Sequence, residues 1–283
     1  MTRETWAWAL AAAAVIATAL AAYRFFELRR DKSSLEARLE KIVAVKNHTE
    51  VSCTELAAKR PLVLLALGQS NAANHGDLKN SAAEPVILIS EGKCMMAADP
   101  LPGGTGEGGS IWQRLPALLR PLLKDPRPVV LSVLAVEATT IDDWTTPQSP
   151  LRKRLATHVE SMNKLGLTPN LILWQQGEAD ALRGTSSSEY SAGLARLATV
   201  LKEAMTDAPI LLARSTLCRS SQNVAVRKAI EETVANSRRL RLGPDTDTLS
   251  GKLLRNGCHL TNEGLDGAAR MWATSIVMNL AAQ

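Results

Sequence analysis

Leu62-Val63-Leu64-Leu65-Ala66-Leu67-Gly68-Gln69-Ser70-Asn71 decides how this chain folds. An unbroken apolar run stops at a glycine, and a serine stands at the turn that follows. A short continuous run of this kind suits a strand covered on both faces, as in a parallel sheet. Open α/β sheets place their ligands in the crevice beyond the carboxyl ends of such strands. Ser70, delivered to that end, is the first candidate nucleophile.

Further runs at 86–89, 129–136, 171–174 and 210–214 predict four more strands, and helical patterns fall at 111–123, 151–165, 188–204, 223–236 and 262–280. The alternation predicts a doubly wound, flavodoxin-like three-layer αβα sandwich, with right-handed crossovers around a mostly parallel five-stranded sheet. A glycine-rich loop, Leu101-Pro102-Gly103-Gly104-Thr105-Gly106-Glu107-Gly108-Gly109, is too irregular for a phosphate-binding fingerprint. Beside a catalytic serine, such a loop can bring a backbone N–H to an oxyanion.

The chain has 283 residues, 46% hydrophobic and 22% charged, which suits one sizeable α/β domain with extensions. Its formal charge of +5 is mild, and no basic patch interleaved with aromatics is present, so no nucleic-acid partner is expected. Residues 6–23 are uncharged and apolar over about the length that crosses a bilayer. Residues 1–23 are therefore read as a transmembrane anchor or signal segment; Arg24, Arg29 and Arg30 directly behind the run favour an anchor. Residues 24–46 read as a charged helical stalk, with Leu28, Leu35 and Ile42 at heptad spacing and Leu39 between them. Residues 47–60 follow as a linker, and the catalytic domain is expected over 61–283.

Two later segments supply what a serine needs. Asn256-Gly257-Cys258-His259-Leu260-Thr261-Asn262-Glu263-Gly264 sets a histidine just before a helix, and Leu171-Ile172-Leu173-Trp174-Gln175-Gln176-Gly177-Glu178-Ala179-Asp180 is another strand ending in polar groups. Together with the Gly-Gln-Ser-Asn block these segments resemble the SGNH/GDSL hydrolases, in the sialate O-acetylesterase-like carbohydrate esterase branch. The resemblance spans roughly residues 60–281.

A serine hydroxyl needs a base to take its proton, and histidine is the usual one. His48 falls in the linker, His158 on a surface helix and His75 at the cleft wall, which leaves His259. The resemblance expects an aspartate three residues before it, where this chain has Asn256. An amide can orient the imidazole but cannot balance its positive charge, and in serine proteases the same exchange costs roughly 10⁴ in turnover. Asn256 as orienter of a Ser70–His259 dyad is the favoured reading, with Asp245 or Asp247 as possible substitutes. By the same resemblance the oxyanion donors are the backbone N–H groups of Ser70 and Gly109 and the side chain of Gln176. Asn71, Glu178 and Asp180 are expected to support the site, and Trp144 to offer a flat face to a sugar.

The implied activity is that of a serine carbohydrate O-acetylesterase. A polysaccharide O-acetyltransferase and a non-catalytic, membrane-tethered glycan-binding subunit are the alternatives. No cofactor or metal is expected, since no histidine or cysteine shows ligand spacing. The partners implied are an acetylated carbohydrate, the membrane through the N-terminal helix, and a polysaccharide biosynthesis or export assembly. Positive charges after the apolar run favour a cytoplasmic domain. The family's exported substrates favour a single-pass protein of the bacterial inner membrane with its domain in the periplasm. The four cysteines suit two disulfides there, Cys53–Cys94 and Cys218–Cys258, each pair bracketing neighbouring elements near the site. Four buried thiols are the other reading.

Overall fold

The computed structural model describes residues 16–18, 20, 34–46, 48–77, 84–219 and 222–281. They belong to two compact units, Met1–Glu40 and Lys41–Gln283. In the first unit, residues 16–18, 20 and 34–39 are helical. Of the anchor expected at 1–23 only residues 16–18 and 20 are among the described residues, and residues 24–33 of the stalk expected at 24–46 lie outside them. No helix among the described residues is long and apolar enough to cross a membrane.

The second unit is built on a sheet of eight strands: β1 (Thr49–Val51), β2 (Leu62–Gly68), β3 (Val86–Ser90), β4 (Lys93–Ala97), β5 (Val129–Ala135), β6 (Leu171–Gln175), β7 (Ile210–Arg214) and β8 (Leu240–Asp245). Their spatial order is β1-β4-β3-β5-β2-β6-β7-β8. Strands β3, β5, β2, β6, β7 and β8 run parallel, while β4 folds back antiparallel on β3 and β1 antiparallel on β4. All five expected strands are present, and the expected count of five is corrected to eight. The three additional strands lie at the two margins of the sheet, where short segments interrupted by polar residues, glycine or proline can pair. A buried central strand cannot tolerate those interruptions.

Alternation along each strand divides the apolar side chains between two faces. Leu62, Leu64 and Ala66 of β2 join a buried cluster with Trp112, Leu115, Leu265, Ala269, Trp272 and Ile276, so residues 112–122 and helix Asn262–Ala281 cover one face. Helices Pro150–Lys164, Ser187–Glu203 and Val224–Ala235 pack together as the third layer. The helix expected over 111–123 is broken into two 3₁₀ turns around Leu115–Leu119, with Pro116 and Pro121 in the run.

The domain begins earlier than residue 61. Val43 exchanges backbone hydrogen bonds with the glycine-rich loop, donating to Gly104 and accepting from Gly103, at 2.9 and 3.0 Å. Val45 packs on the core, β1 extends the sheet, and Cys53–Ala58 is helical. The segment read as stalk end and linker is thus integral structure, because its backbone groups find partners on the domain. Cys53 bonds Cys94, and Cys218 bonds Cys258, the expected pairs.

Candidate active site

β2 lies between β5 and β6, with Gly68 in register with Ala135 and Gln175, the last residues of those strands. The chain leaves β2 towards β3 on one side and later reaches β6 on the other, so Ser70 stands at the switch point of the sheet. Gly68 has φ +145°, and a Cβ there would collide with the Gln175 carbonyl, so only glycine lets the chain turn so close to its neighbour. Ser70 opens a single 3₁₀ turn and is buried. Its backbone N–H is not engaged by any described residue, which leaves it available as an oxyanion donor.

Both neighbours of Ser70 are anchored. Gln69 Oε1 accepts the Ala179 N–H at 3.0 Å, fixing the turn to helix Glu178–Arg183. Asn71 Nδ2 donates to Glu178 Oε1 at 2.6 Å and to the Cys258 carbonyl at 2.9 Å, while its Oδ1 accepts the Leu260 N–H at 3.3 Å. Cys258 and Leu260 flank His259, so one side chain beside the nucleophile grips the base from both sides. His259 sits on a two-stranded hairpin, β9 (Arg255–Asn256) and β10 (His259–Leu260). Arg255 holds that hairpin down: its buried guanidinium donates to the carbonyls of Cys258, Leu249, Thr246 and Leu217 at 2.7–3.3 Å. Burial, then the charge of Arg255, lower the pKa of His259 below its usual value.

Asn256 faces His259 across the hairpin in backbone register, yet its side chain is exposed and makes no hydrogen bond to the His259 ring. It lines a groove of about 760 Å³ with Leu217, Arg219 and Lys252. Asp245 and Asp247 cannot replace the missing carboxylate. Asp245 is paired with Arg227 at 2.7 Å, and Asp247 accepts from Thr216, Leu217 and Arg227.

Three expected roles are corrected. Gln176 is fully buried, and its amide donates to the Thr139 carbonyl at 2.9 Å and to Asp180 at 2.6 Å, so neither hydrogen is left for an oxyanion. Trp144 is also fully buried, set edge-on against Trp174 with its Nε1 donating to Thr139, and it offers no face to a sugar. The Gly109 N–H is turned to the Gly76 carbonyl at 3.3 Å rather than to the serine. Glu178 and Asp180 do occupy supporting positions. Asp180 accepts from Ile141, Gln176 and Thr185, tying the loops after β5 and β6. Glu178 accepts from Asn71 and Ser215 through Oε1, while Oε2 has no partner among the described residues. Burial raises its pKa to about 7.

The sequence profile of the carbohydrate esterase, sialic acid-specific acetylesterase family matches residues 60–277. The chain belongs to this family. Among solved structures it is similar to a protein from Arabidopsis thaliana (TM-score 0.61, 19% identity, covering 77% of this chain and 99% of that one). It is also similar to NanS (TM-score 0.52, 14% identity, 78% and 98% coverage) and to a Clostridium thermocellum family 3 carbohydrate esterase (TM-score 0.50, 10% identity, 78% and 98% coverage). At these identities the likeness is one of fold. No curated protein sequence matches.

Beside the carbohydrate esterase's Ser70 and His259 stand residues whose roles carry no local motif. The loop after the serine turn brings His75 to His259, with ring centroids 5.3 Å apart. Gly106 backs His75 so closely that a Cβ there would meet the His75 Cδ2 at 2.8 Å. Asn74 clamps the glycine-rich loop through Leu101 and Gly104. Thr105 and Glu137 complete this wall of the site. Only His75 carried a signal, its nearness in sequence to Ser70.

Proposed function

We propose that this esterase removes O-acetyl groups from a carbohydrate through an acyl-enzyme on Ser70. One observation supports this reading most: Asn71 couples the serine turn to both backbone neighbours of His259, so nucleophile and base are held by a shared clamp. Ser70 Oγ attacks the ester carbonyl carbon as His259 takes the hydroxyl proton. The tetrahedral oxyanion is met by the Ser70 N–H. Collapse breaks the bond to the sugar oxygen, which leaves with the proton from His259. Water then attacks the acyl carbon, giving its proton to His259; acetate departs and the proton returns to Ser70. The two disulfides and the apolar run at 6–23 support a membrane-held enzyme in an oxidising compartment.

The purified full-length protein, assayed for acetate release from an aryl acetate and from an acetylated polysaccharide, is expected to turn over both. Ser70→Ala should fall by at least about 10³-fold. Equal rates for the wild type and Ser70→Ala would discard the enzyme reading in favour of glycan binding. Adding a free saccharide acceptor separates hydrolysis from transfer.

A further inference from the structure

His259 must become positively charged during turnover, and position 256 supplies no negative charge to meet it. The wall opposite the hairpin does hold a carboxylate. Glu137 follows β5 directly, and its Oε2 lies 3.7 Å from His75 Nε2. The same His75 nitrogen is 3.0 Å from Thr105 Oγ1, which accepts the Glu137 N–H at 2.9 Å. The His75 ring in turn faces His259 at 5.3 Å, tilted by 36°. Side-chain exposures of 15% for His75 and 27% for Glu137 leave this column half shielded from water, where a charge acts over longer range than at an open surface.

We propose that Glu137, relayed by a neutral His75, is the carboxylate that stabilises the imidazolium of His259 in place of the one absent at position 256. Glu137 and His75 are positioning residues in this scheme, which rests on the esterase reading above. The charged groups around His259 are Arg255 on its own hairpin, which opposes protonation, and Glu137 and Asp77, which favour it. Those around His75 are His259 and Lys41, which oppose protonation, and Glu137, which favours it. Burial and the neighbouring His259 lower the pKa of His75, which disfavours a second positive charge beside the imidazolium. Lys41 pairs with Glu137 Oε1 at 3.2 Å and offsets part of its charge.

The test uses the full-length protein and its Glu137→Gln, Asn256→Asp, double and Lys41→Ala variants. Two quantities are followed: kcat on an aryl acetate against pH, and the titration of His259 by NMR. Glu137→Gln is expected to lower the pKa of His259, move the acidic limb of the kcat profile to lower pH, and reduce the plateau about tenfold, as befits one charge interaction at a half-buried site. Asn256→Asp should raise the plateau and shrink the effect of Glu137→Gln, because the charge is then supplied twice. Lys41→Ala should raise the pKa of His259, an opposite shift that decides the matter if Glu137→Gln fails to fold. An unmoved His259 titration in Glu137→Gln, or an undiminished effect in the Asn256→Asp background, would overturn the proposal. If Ser70→Ala shows that no ester is hydrolysed, the NMR titration still reports the coupling, so the two readings fail separately.

Discussion

Asn71 spends both ends of its amide between the turn of the nucleophile and the hairpin of the base. Glu178 holds the Asn71 amide in place, and Arg255 fixes the same hairpin through the Cys258 carbonyl. Asn71→Ala is therefore expected to lower kcat about 100-fold, the cost of a small misplacement of reacting groups, while KM and the circular dichroism spectrum change little. Steady-state kinetics on an aryl acetate would show it; a change confined to KM would contradict it. The strand end that presents Ser70 and the helix start that follows His259 were legible because such signals are local, while the pairing of the two came from resemblance to a known family. Gln176 and Trp144 were misread because the direction in which a side chain leaves its backbone depends on neighbours distant in sequence. Thr139, Asp180 and Tyr190 claim the Gln176 amide, and Trp174 claims the Trp144 ring.

At the level of elements, the two disulfides make a matched pair. Cys53–Cys94 and Cys218–Cys258 span 41 and 40 residues, so chain entropy predicts a similar loss of stability, about 3–4 kcal/mol, when either is opened. Their places differ. Cys94 lies on β4, towards the sheet edge, whereas Cys258 immediately precedes His259 on the hairpin. Paired serine substitutions should therefore lower the urea midpoint alike, but only loss of Cys218–Cys258 should depress kcat well below the denaturation range. Equal kcat in the two variants would count against a role for that disulfide in holding the base. The central strands were legible from their apolar runs alone. Strands β1, β4 and β8 were not, since Thr49–Val51, Lys93–Ala97 and Leu240–Asp245 become strands by pairing with a neighbour already in place.

Across the whole molecule, two buried titrations work against each other. The Glu178 pKa rises from 4.5 to about 7 in the folded state, chiefly through burial, so folding holds an extra proton there and stability falls as pH rises through that window. The His158 pKa drops from 6.5 to about 4, again chiefly through burial, so the unfolded chain holds the extra proton and stability falls as pH decreases. His158 is held neutral with Nε2–H donating to Ser132 Oγ at 2.7 Å, because the Ser132 hydroxyl gives its own proton to the Ile89 carbonyl. Between about pH 4.5 and 6.5 these contributions offset each other. Glu178→Gln should expose a stability that climbs with pH, and His158→Gln one that declines. Urea midpoints followed by tryptophan fluorescence at three pH values would test both signs; parallel slopes in the two variants would refute the assignment.

The clasp of Val43 on Gly103 and Gly104, with Lys41 reaching Glu137, bears on where the catalytic domain can be cut. A recombinant fragment starting at residue 47 would keep the whole sheet, both disulfides, Ser70 and His259. It would nonetheless strip the clasp at Gly103 and Gly104 from the loop that carries Thr105 and backs His75, leaving that loop held by Asn74 and Ala135. Inactivity in a fragment of that length would describe the amputation rather than the chemistry, so the amino-terminal boundary belongs upstream of Lys41.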